Sequence, residues 1–495
     1  MGRLAAPDPH GGLTVTVEVL NRIGGAAVPA ADGAVFERRN PADVERVVSV
    51  APESTPDDMA AAVAAAVDAA ASWRRTTPSQ RAELLGRAAH VLAGDADRNA
   101  REMVAEEGKP LADARMEAGR TPKNLEIYAG EALRLTGTTF PSDDGTLAWT
   151  TRDPVGVVGV ITPWNFPLNL ASRKIGPALA AGNTVVFKPS PLTPLMGDRL
   201  GAAFEAAGFP PGVVNVVHGF GAGAALVTDS RVGAVTFTGS LATGRKIHSS
   251  IGLGRRSQLE LGGKNPVVVL ADADLDAAAQ VVARSSFSLT GQACTGAGRI
   301  LVEASVHDEL LERVVQLASG YVIGPGDADG VTMGPLVDAG AVSAMEAAVA
   351  GAVAEGAAVA CGGSRAVEGA LARGCFFPPT VLTGVARGSA LARDEVFGPV
   401  VGFERVSGLD QAIESANDVE YGLAAAICTR DLGAAQRFVA EVEAGMVKVN
   451  RPTVGAALNA PFGGIKQSGT GVHKEQLGPT VMDFYTVSRT VFLGS

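Results

Sequence analysis

Short apolar runs alternate with alanine-rich stretches along most of this 495-residue chain, and that alternation limits its fold more than any other feature. VVSVA, VVGVI, NTVVFK, VVNVV, AVTFTG, QLELGG, NPVVVLA and RILVE each have the length of a buried strand. Between them the apolar residues recur with the 3.6-residue period of a helix. Parallel strands need a crossover long enough to hold a helix, so strand–helix–strand in series predicts parallel α/β architecture. The stretch 183–260 carries four such strands, with helices such as 194–207 and 242–250, and reads as a nucleotide-binding sheet. At Asp272 a second series begins with DADLDAAAQVVARSSF, where Asp272 or Asp274 can cap a helix whose far end reaches Cys294. A domain boundary is expected near residue 265. LRLTGTTFP, the polar turn SDDG and TLAWTTRDP predict a hairpin of two long strands whose exposed edge invites a second subunit.

The chain is long enough for two or three domains, because single cores stop growing at about 250 to 300 residues. Apolar residues make up 46% and charged residues 19%, inside the globular range. A net charge of −10 and the lack of a lysine–arginine run exclude a nucleic-acid partner. No apolar stretch approaches the roughly 18 residues of a membrane span, and MGRLAAPDPHGG lacks the apolar centre of a secretory signal. The four cysteines, Cys294, Cys361, Cys375 and Cys428, have no CxxC spacing, and the six histidines form no HExxH-like cluster. These features predict a cytoplasmic protein with neither a disulfide framework nor a metal site.

Several stretches carry chemistry. FSLTGQACTGAG sets Cys294 among small, turn-prone residues, as a nucleophile or as a buried sulfur. LELGGKNP places Glu260 at an apolar strand end, where desolvation raises a carboxyl toward the range of a general base. TPWNFP holds Asn165 between aromatics and prolines, a rigid turn able to fix an amide donor. VFKPS puts Lys188 at the carboxyl end of a strand, and TFTGS puts Gly239 and Ser240 between a strand and a helix N-terminus, both positions where α/β sheets bind anionic ligands. GFGAGA, containing Gly221, fits GxGxxA but is weak alone in a chain with 61 glycines.

PWNFP, FKPS, FTGS, LELGGKNP, GQACTGAGR, EVFGPV and PFGGIKQSG follow one another in that order, and with them the sequence resembles the aldehyde dehydrogenase superfamily from about residue 20 onward. The resemblance implies a Rossmann-like cofactor domain (1–132 and 155–264), an α/β catalytic domain (265–460) and a β-hairpin oligomerisation arm (133–154 and 478–495) that makes a homodimer or homotetramer. It implies Cys294 as the nucleophile that forms a hemithioacetal and then a thioester. Asn165 and the Cys294 N–H would hold the oxyanion, and Glu260 would activate water. NADP or NAD would lie on Thr162, Trp164, Lys188, Ser190, Pro191, Gly221, Gly239, Ser240, Leu261, Glu395 and Phe397.

The aldehyde would meet Phe166, Asn169, Leu170, Arg173, Thr295, Arg451 and Phe462. Arg173 matches an arginine with which semialdehyde dehydrogenases, of the succinate and ketoglutarate type, bind a distal carboxylate. Their second arginine is here Ser288, and Arg451 is the candidate to replace it. NAD-preferring relatives often carry glutamate at the position of Pro191, so NADP is expected to be accepted at least as readily as NAD. The rival readings are a CoA-acylating enzyme, against which Glu260 argues, and a non-catalytic homologue, against which Cys294, Glu260 and Asn165 together argue.

Overall fold

The computed structural model describes residues 16–470, 474–475 and 480–494. The N-terminal segment read above as lacking a secretory signal therefore lies outside the described residues, as do 478, 479 and 495 of the expected arm. Two seven-stranded sheets dominate. In the first, the parallel strands run in the order Arg256–Glu260, Val232–Thr238, Val157–Ile161, Thr184–Lys188, Val214–Val216, with Asn21–Ile23 and Ala26–Val28 added antiparallel at one edge. Strand order reverses on either side of Val157–Ile161, and ligands bind open α/β sheets outside the carboxyl ends of strands at such a switch point.

Both faces of this sheet are covered, and alternate residues of a strand serve different cores. Val158, Val160, Val185 and Phe187 pack on one side, and Val157, Val186, Val235 and Phe237 on the other. That double burial explains the near-continuous apolar runs in the sequence. The second sheet takes up the chain at Asn265–Val269, five residues after the last strand of the first. Its order is Ala358–Cys361, Thr380–Thr383, Val400–Val406, Ala297–Glu303, Asn265–Val269, Ala424–Cys428, Met446–Val449, antiparallel only at the first pair. Asp274 caps helix Leu275–Phe287 by accepting from Ala277 N at 3.2 Å, whereas Asp272 holds Thr429, Arg430 and Asp431.

Two expectations need correction. VVSVA lies in Asp43–Pro52, which pairs with Val35–Asn40 and Val17–Glu18 in a separate three-stranded sheet. The hairpin of two long strands is also absent: Leu133 and Arg134 end the helix Leu111–Arg134, and only Thr139–Phe140 pairs with Leu147–Pro154. The long partner is the distant strand Thr486–Leu493, in register from Thr486 opposite Pro154 to Leu493 opposite Leu147. The helix pattern of EIYAGEALR extends past the expected strand start and wins there by packing, with Tyr128 and Ala132 buried.

Candidate active site

The turn Thr162–Phe166 leaves Val157–Ile161 and enters helix Pro167–Ala180. Its geometry is fixed by buried charges that the sequence reading did not single out. Glu117 reaches across from helix Leu111–Arg134 and accepts from Leu168 N and Asn169 N, both at 3.0 Å, which satisfies two orphan donors of the helix N-terminus. Lys109 donates to Glu117 at 2.6 Å and to the Asn165 carbonyl at 2.7 Å, pairs with Glu107 at 3.1 Å, and lies 4.7 Å from the centre of the Phe166 ring. The Asn165 side chain then donates through Nδ2 to the Gln292 carbonyl at 2.9 Å. A carbonyl only accepts, so the nitrogen must face it, and the second N–H of the amide is left for another acceptor.

Gln292 precedes Cys294 by two residues. The segment before it bends through left-handed Leu289 and Thr290 (φ 53° and 56°) to Gly291 (φ 68°), where an added Cβ would lie 2.2 Å from the Gly398 carbonyl. Only glycine fits that approach, and it brings the cysteine loop against EVFGPV. Asn265 Nδ2 then donates to the carbonyls of Cys294 and Gly296, each at 2.8 Å. Burial pushes the Cys294 thiol up to about 12, with Glu395, Glu475 and Glu260 acting in the same direction and Arg173 opposing them.

Glu260, 3% exposed, ends its strand beside Gly463, where an added Cβ would stand 2.6 Å from Oε1. Burial holds its carboxyl well above the usual carboxylate range; Glu475 adds to this and Lys174 opposes it. Oε1 accepts from Glu475 N at 3.4 Å, while Oε2 has no partner among the described residues. Glu475 pairs with Lys174 and accepts from Thr238 Oγ1 at 3.1 Å, and Lys174 also donates to Thr236 at 3.0 Å. Glu475, Lys174, Lys109 and Glu117 are functional candidates missed in the sequence. Charged residues in a linear pattern read as solvated, and nothing short of the fold announces their burial.

At the cofactor end, Lys188 is 7% exposed yet its ammonium has no hydrogen bond or ion pair among the described residues. Burial lowers it to about 8, with Glu53 opposing. Such an ammonium fits a phosphate or ribose oxygen. Ser190 accepts from Leu192 N at 3.2 Å, and Pro191 follows, half-buried. Gly239 donates to the Glu260 carbonyl at 3.0 Å, and Ser240 caps helix Leu241–Ser250 through Thr243 N. Buried Leu261 packs on Gly244. Glu395 accepts from Gly263 N at 3.1 Å, and burial pushes it up to about 7. Trp164 and Phe397 meet edge to face at 5.6 Å, and Phe397 is itself left-handed (φ 57°). The hydroxyl of buried Thr162 has no partner among the described residues. Gly221 is different: it and Phe220 donate to Glu53, at 3.2 and 2.9 Å, so GFGAGA grips a carboxylate of this chain.

On the aldehyde side, Asn169 is tied to Asn124 at 2.8 Å, and Leu170 and Thr295 are buried. Arg173, 4% exposed, lies 5.7 Å from the centre of the Phe462 ring and forms no ion pair among the described residues. Ser288 donates into its own helix at Arg284, 2.7 Å away. Arg451 is exposed; burial lowers the nearby Lys448 to about 8, and Arg451 adds to this. Among the described residues no group of three metal-ligating side chains converges, and no helix is long and apolar enough to cross a membrane.

A dinucleotide-type sheet with a half-buried cysteine, a buried carboxyl and a fixed amide near the carboxyl ends of its strands has the form of an oxidoreductase site. The family model for "Aldehyde dehydrogenase family" matches residues 28–491, and the chain belongs to that family. It is an NAD(P)-dependent aldehyde dehydrogenase. It is 38% identical over 478 residues to the α-ketoglutaric semialdehyde dehydrogenase of Bacillus subtilis, covering 96% of this chain and 98% of that protein. It is 40% identical over 461 residues to the 2,5-dioxopentanoate dehydrogenase of Saccharolobus solfataricus, covering 92% and 95%. The crystal structure of an NAD-dependent aldehyde dehydrogenase from Sinorhizobium meliloti superposes with a TM-score of 0.93 at 35% identity, covering 99% of this chain and 97% of that one.

Proposed function

We propose that the chain oxidises a short semialdehyde through Cys294. The observation that supports the mechanism is that the Asn165 amide is fixed on the Gln292 carbonyl two residues before Cys294, while the buried Glu260 carboxyl, whose Oε2 has no partner among the described residues, acts electrostatically on the Cys294 thiol. The Cys294 thiol gives its proton to solvent water, and the sulfur adds to the aldehyde carbon as the carbonyl π pair moves to oxygen. The free N–H of Asn165 and the Cys294 backbone N–H stabilise the oxyanion, each such donor contributing about 2.7 to 4 kcal/mol. Bound NAD(P) supplies the hydride acceptor. Glu260, through Oε2, takes a proton from the water that attacks the resulting thioester, and Glu475 and Lys174 lie beyond it to receive charge. Trp164, Glu395 and Phe397 would frame the nicotinamide ribose and ring, and Thr162, Lys188, Ser190, Pro191, Gly239, Ser240 and Leu261 the rest of the dinucleotide. Gly221 serves that end through the loop that Glu53 organises.

A semialdehyde is supported by the names of the two relatives and by Arg173, a buried guanidinium without an ion-pair partner among the described residues. Phe166, Leu170, Thr295 and Phe462 would wall the aldehyde, with Asn169 holding the helix beneath them. Arg173→Leu is expected to cost about 2 to 3 kcal/mol in kcat/KM for a semialdehyde, the scale of a hydrogen bond to a charged group. A neutral aldehyde of equal length should change much less. Equal losses for both would make Arg173 structural and remove the semialdehyde reading.

Cofactor preference follows from Pro191, which offers no carboxylate to repel a 2′-phosphate, and from Lys188, whose ammonium has no partner among the described residues. NADP is expected to serve at least as well as NAD, and Pro191→Glu to shift the ratio of kcat/KM values toward NAD. Strong wild-type selectivity for NAD would refute this. We read 1–132 with 155–264 as the cofactor domain, 265–460 as the catalytic domain, and 133–154 with 478–495 as the arm. The exposed Phe140, Leu147, Phe492 and Leu493 on the arm's sheet support a homodimer or homotetramer. Four free cysteines suit a cytoplasmic setting.

A further inference from the structure

Among the described residues the buried lysines are Lys109, Lys174, Lys188 and Lys264. Lys109 pairs with Glu107 and Glu117, and Lys174 with Glu475. Lys188 faces the proposed dinucleotide. Lys264, 2% exposed, closes the motif LELGGK, and its Nζ has no hydrogen-bond partner among the described residues. An ammonium taken out of water without an acceptor is costly, so its position calls for an anion nearby.

That anion is Glu395. Its Oε1 accepts from Gly263 N at 3.1 Å, and an added Cβ on Gly262 would overlap Oε2, so the carboxyl lies against the two glycines that precede Lys264. The Lys264 side chain runs under the start of strand Ala297–Glu303, where an added Cβ on Gly298 would stand 2.9 Å from Nζ. A cavity of about 20 Å³ separates the ammonium from the carboxyl, lined by Lys264 and Glu395 with Gly291, Gly296, Gly298 and Phe397. It has room for about one water, and the two side chains attract each other electrostatically. Of the other charged or titratable groups, Arg299 and Asp394 face Lys264, and Tyr421 and the Cys294 thiol face Glu395. Burial lowers Lys264 to about 7, with Arg299 adding and Glu395 and Asp394 opposing. It raises Glu395 to about 7 against the Gly263 N–H and Lys264. Each of the two therefore depends on the other for its charge near neutral pH. A carboxylate can accept from both hydroxyls of a ribose, whereas a carboxylic acid gives up part of that capacity to its own proton.

We propose that Lys264 is the positioning residue for Glu395, holding it as a carboxylate on Gly262 and Gly263, where it grips the nicotinamide ribose of NAD(P). This rests on the reading that puts Glu395 at that ribose. Lys264 touches neither substrate nor cofactor and acts through Glu395 alone.

The test measures dissociation constants for NAD, NADP and AMP across pH by quenching of tryptophan fluorescence, for the wild type, Lys264→Met, Glu395→Gln and the double variant. AMP lacks the nicotinamide ribose. Wild-type affinity for NAD and NADP should fall as pH is lowered and Glu395 takes up its proton. Lys264→Met removes a charge that pulls the Glu395 carboxyl down, so this limb should move up by at least about one pH unit, and affinity for both dinucleotides at neutral pH should fall about tenfold. AMP should change by less than about twofold. Glu395→Gln should weaken both dinucleotides by about as much, and Lys264→Met added to it should change nothing further. Lys264→Arg, which keeps a charge, should recover part of the loss. Should methionine damage the fold, which loss of AMP binding reports, Lys264→Gln gives the same readings with a polar, uncharged end. A Glu395→Gln variant that binds the dinucleotides as tightly as the wild type would overturn the ribose reading and this proposal with it. A weakened Glu395→Gln variant beside Lys264 variants with unchanged affinity and an unmoved limb, or a Lys264 loss that persists in full in the double variant, would overturn the role of Lys264 alone.

Discussion

Cys294→Ala is expected to abolish aldehyde oxidation, by at least about ten-thousandfold in kcat, the scale on which removal of a covalent nucleophile acts. The loss should be confined to chemistry. The cysteine loop is shaped by its backbone, since Asn265 holds the carbonyls at 294 and 296, Gly296 N donates to the Ala293 carbonyl at 2.8 Å, and Gly291 permits the approach to Gly398. None of these contacts uses the sulfur. The side chains proposed for the dinucleotide, Lys188 and Glu395 among them, sit on other strands and loops. Titration of the variant with NAD and NADP, followed by nicotinamide fluorescence, should return dissociation constants within about threefold of the wild type, because one truncated side chain away from such features changes little. Initial rates at the absorbance band of the reduced cofactor give the activity. Substantial turnover by the alanine variant would end the covalent mechanism.

What could be read from the chain depended on whether a feature is local. The strands Val157–Ile161, Thr184–Lys188, Val232–Thr238 and Arg256–Glu260 were legible because burial on both faces writes an unbroken apolar run. Cys294, Glu260 and Asn165 stood out as candidates because each lies in a distinctive motif beside such a run. The arm was misread because the partner of Leu147–Pro154 lies more than 300 residues away, at Thr486–Leu493, and no turn signal connects them. The buried ion pairs escaped for the same reason. Lys109 and Glu117 stand among residues typical of an exposed helix, and their partners, the Asn165 carbonyl and the N–H groups of Leu168 and Asn169, are backbone atoms without a sequence signature. GFGAGA had the form of a phosphate loop, and the structure fills its amides with Glu53, a residue from a strand end 166 positions earlier than Gly219.

Glu260→Gln should separate the two halves of the reaction. Addition of the sulfur and transfer of hydride need no base for water, so mixing the variant with aldehyde and NAD(P) is expected to give a burst of reduced cofactor near one equivalent per site, followed by turnover about 100- to 10,000-fold slower than in the wild type, the usual contribution of a general base. Glutamine retains an acceptor for Glu475 N and cannot ionise, so it adds no negative charge to the burial that already holds the Cys294 thiol up, and acylation should not suffer. The pH dependence supplies the sign. Burial and Glu475 keep the Glu260 carboxyl protonated above the usual carboxylate range, and only its deprotonated form accepts a proton from water. Wild-type steady-state kcat should therefore rise with pH along a limb displaced above an ordinary glutamate's, and the variant should lose that limb while keeping any limb set by the thiol. Stopped-flow measurement of burst amplitude across pH distinguishes the outcomes. A variant without burst or turnover would show that Glu260 acts before hydride transfer, as the base that receives the proton of Cys294, and the deacylation role would then fall to the Glu475–Lys174 pair behind it.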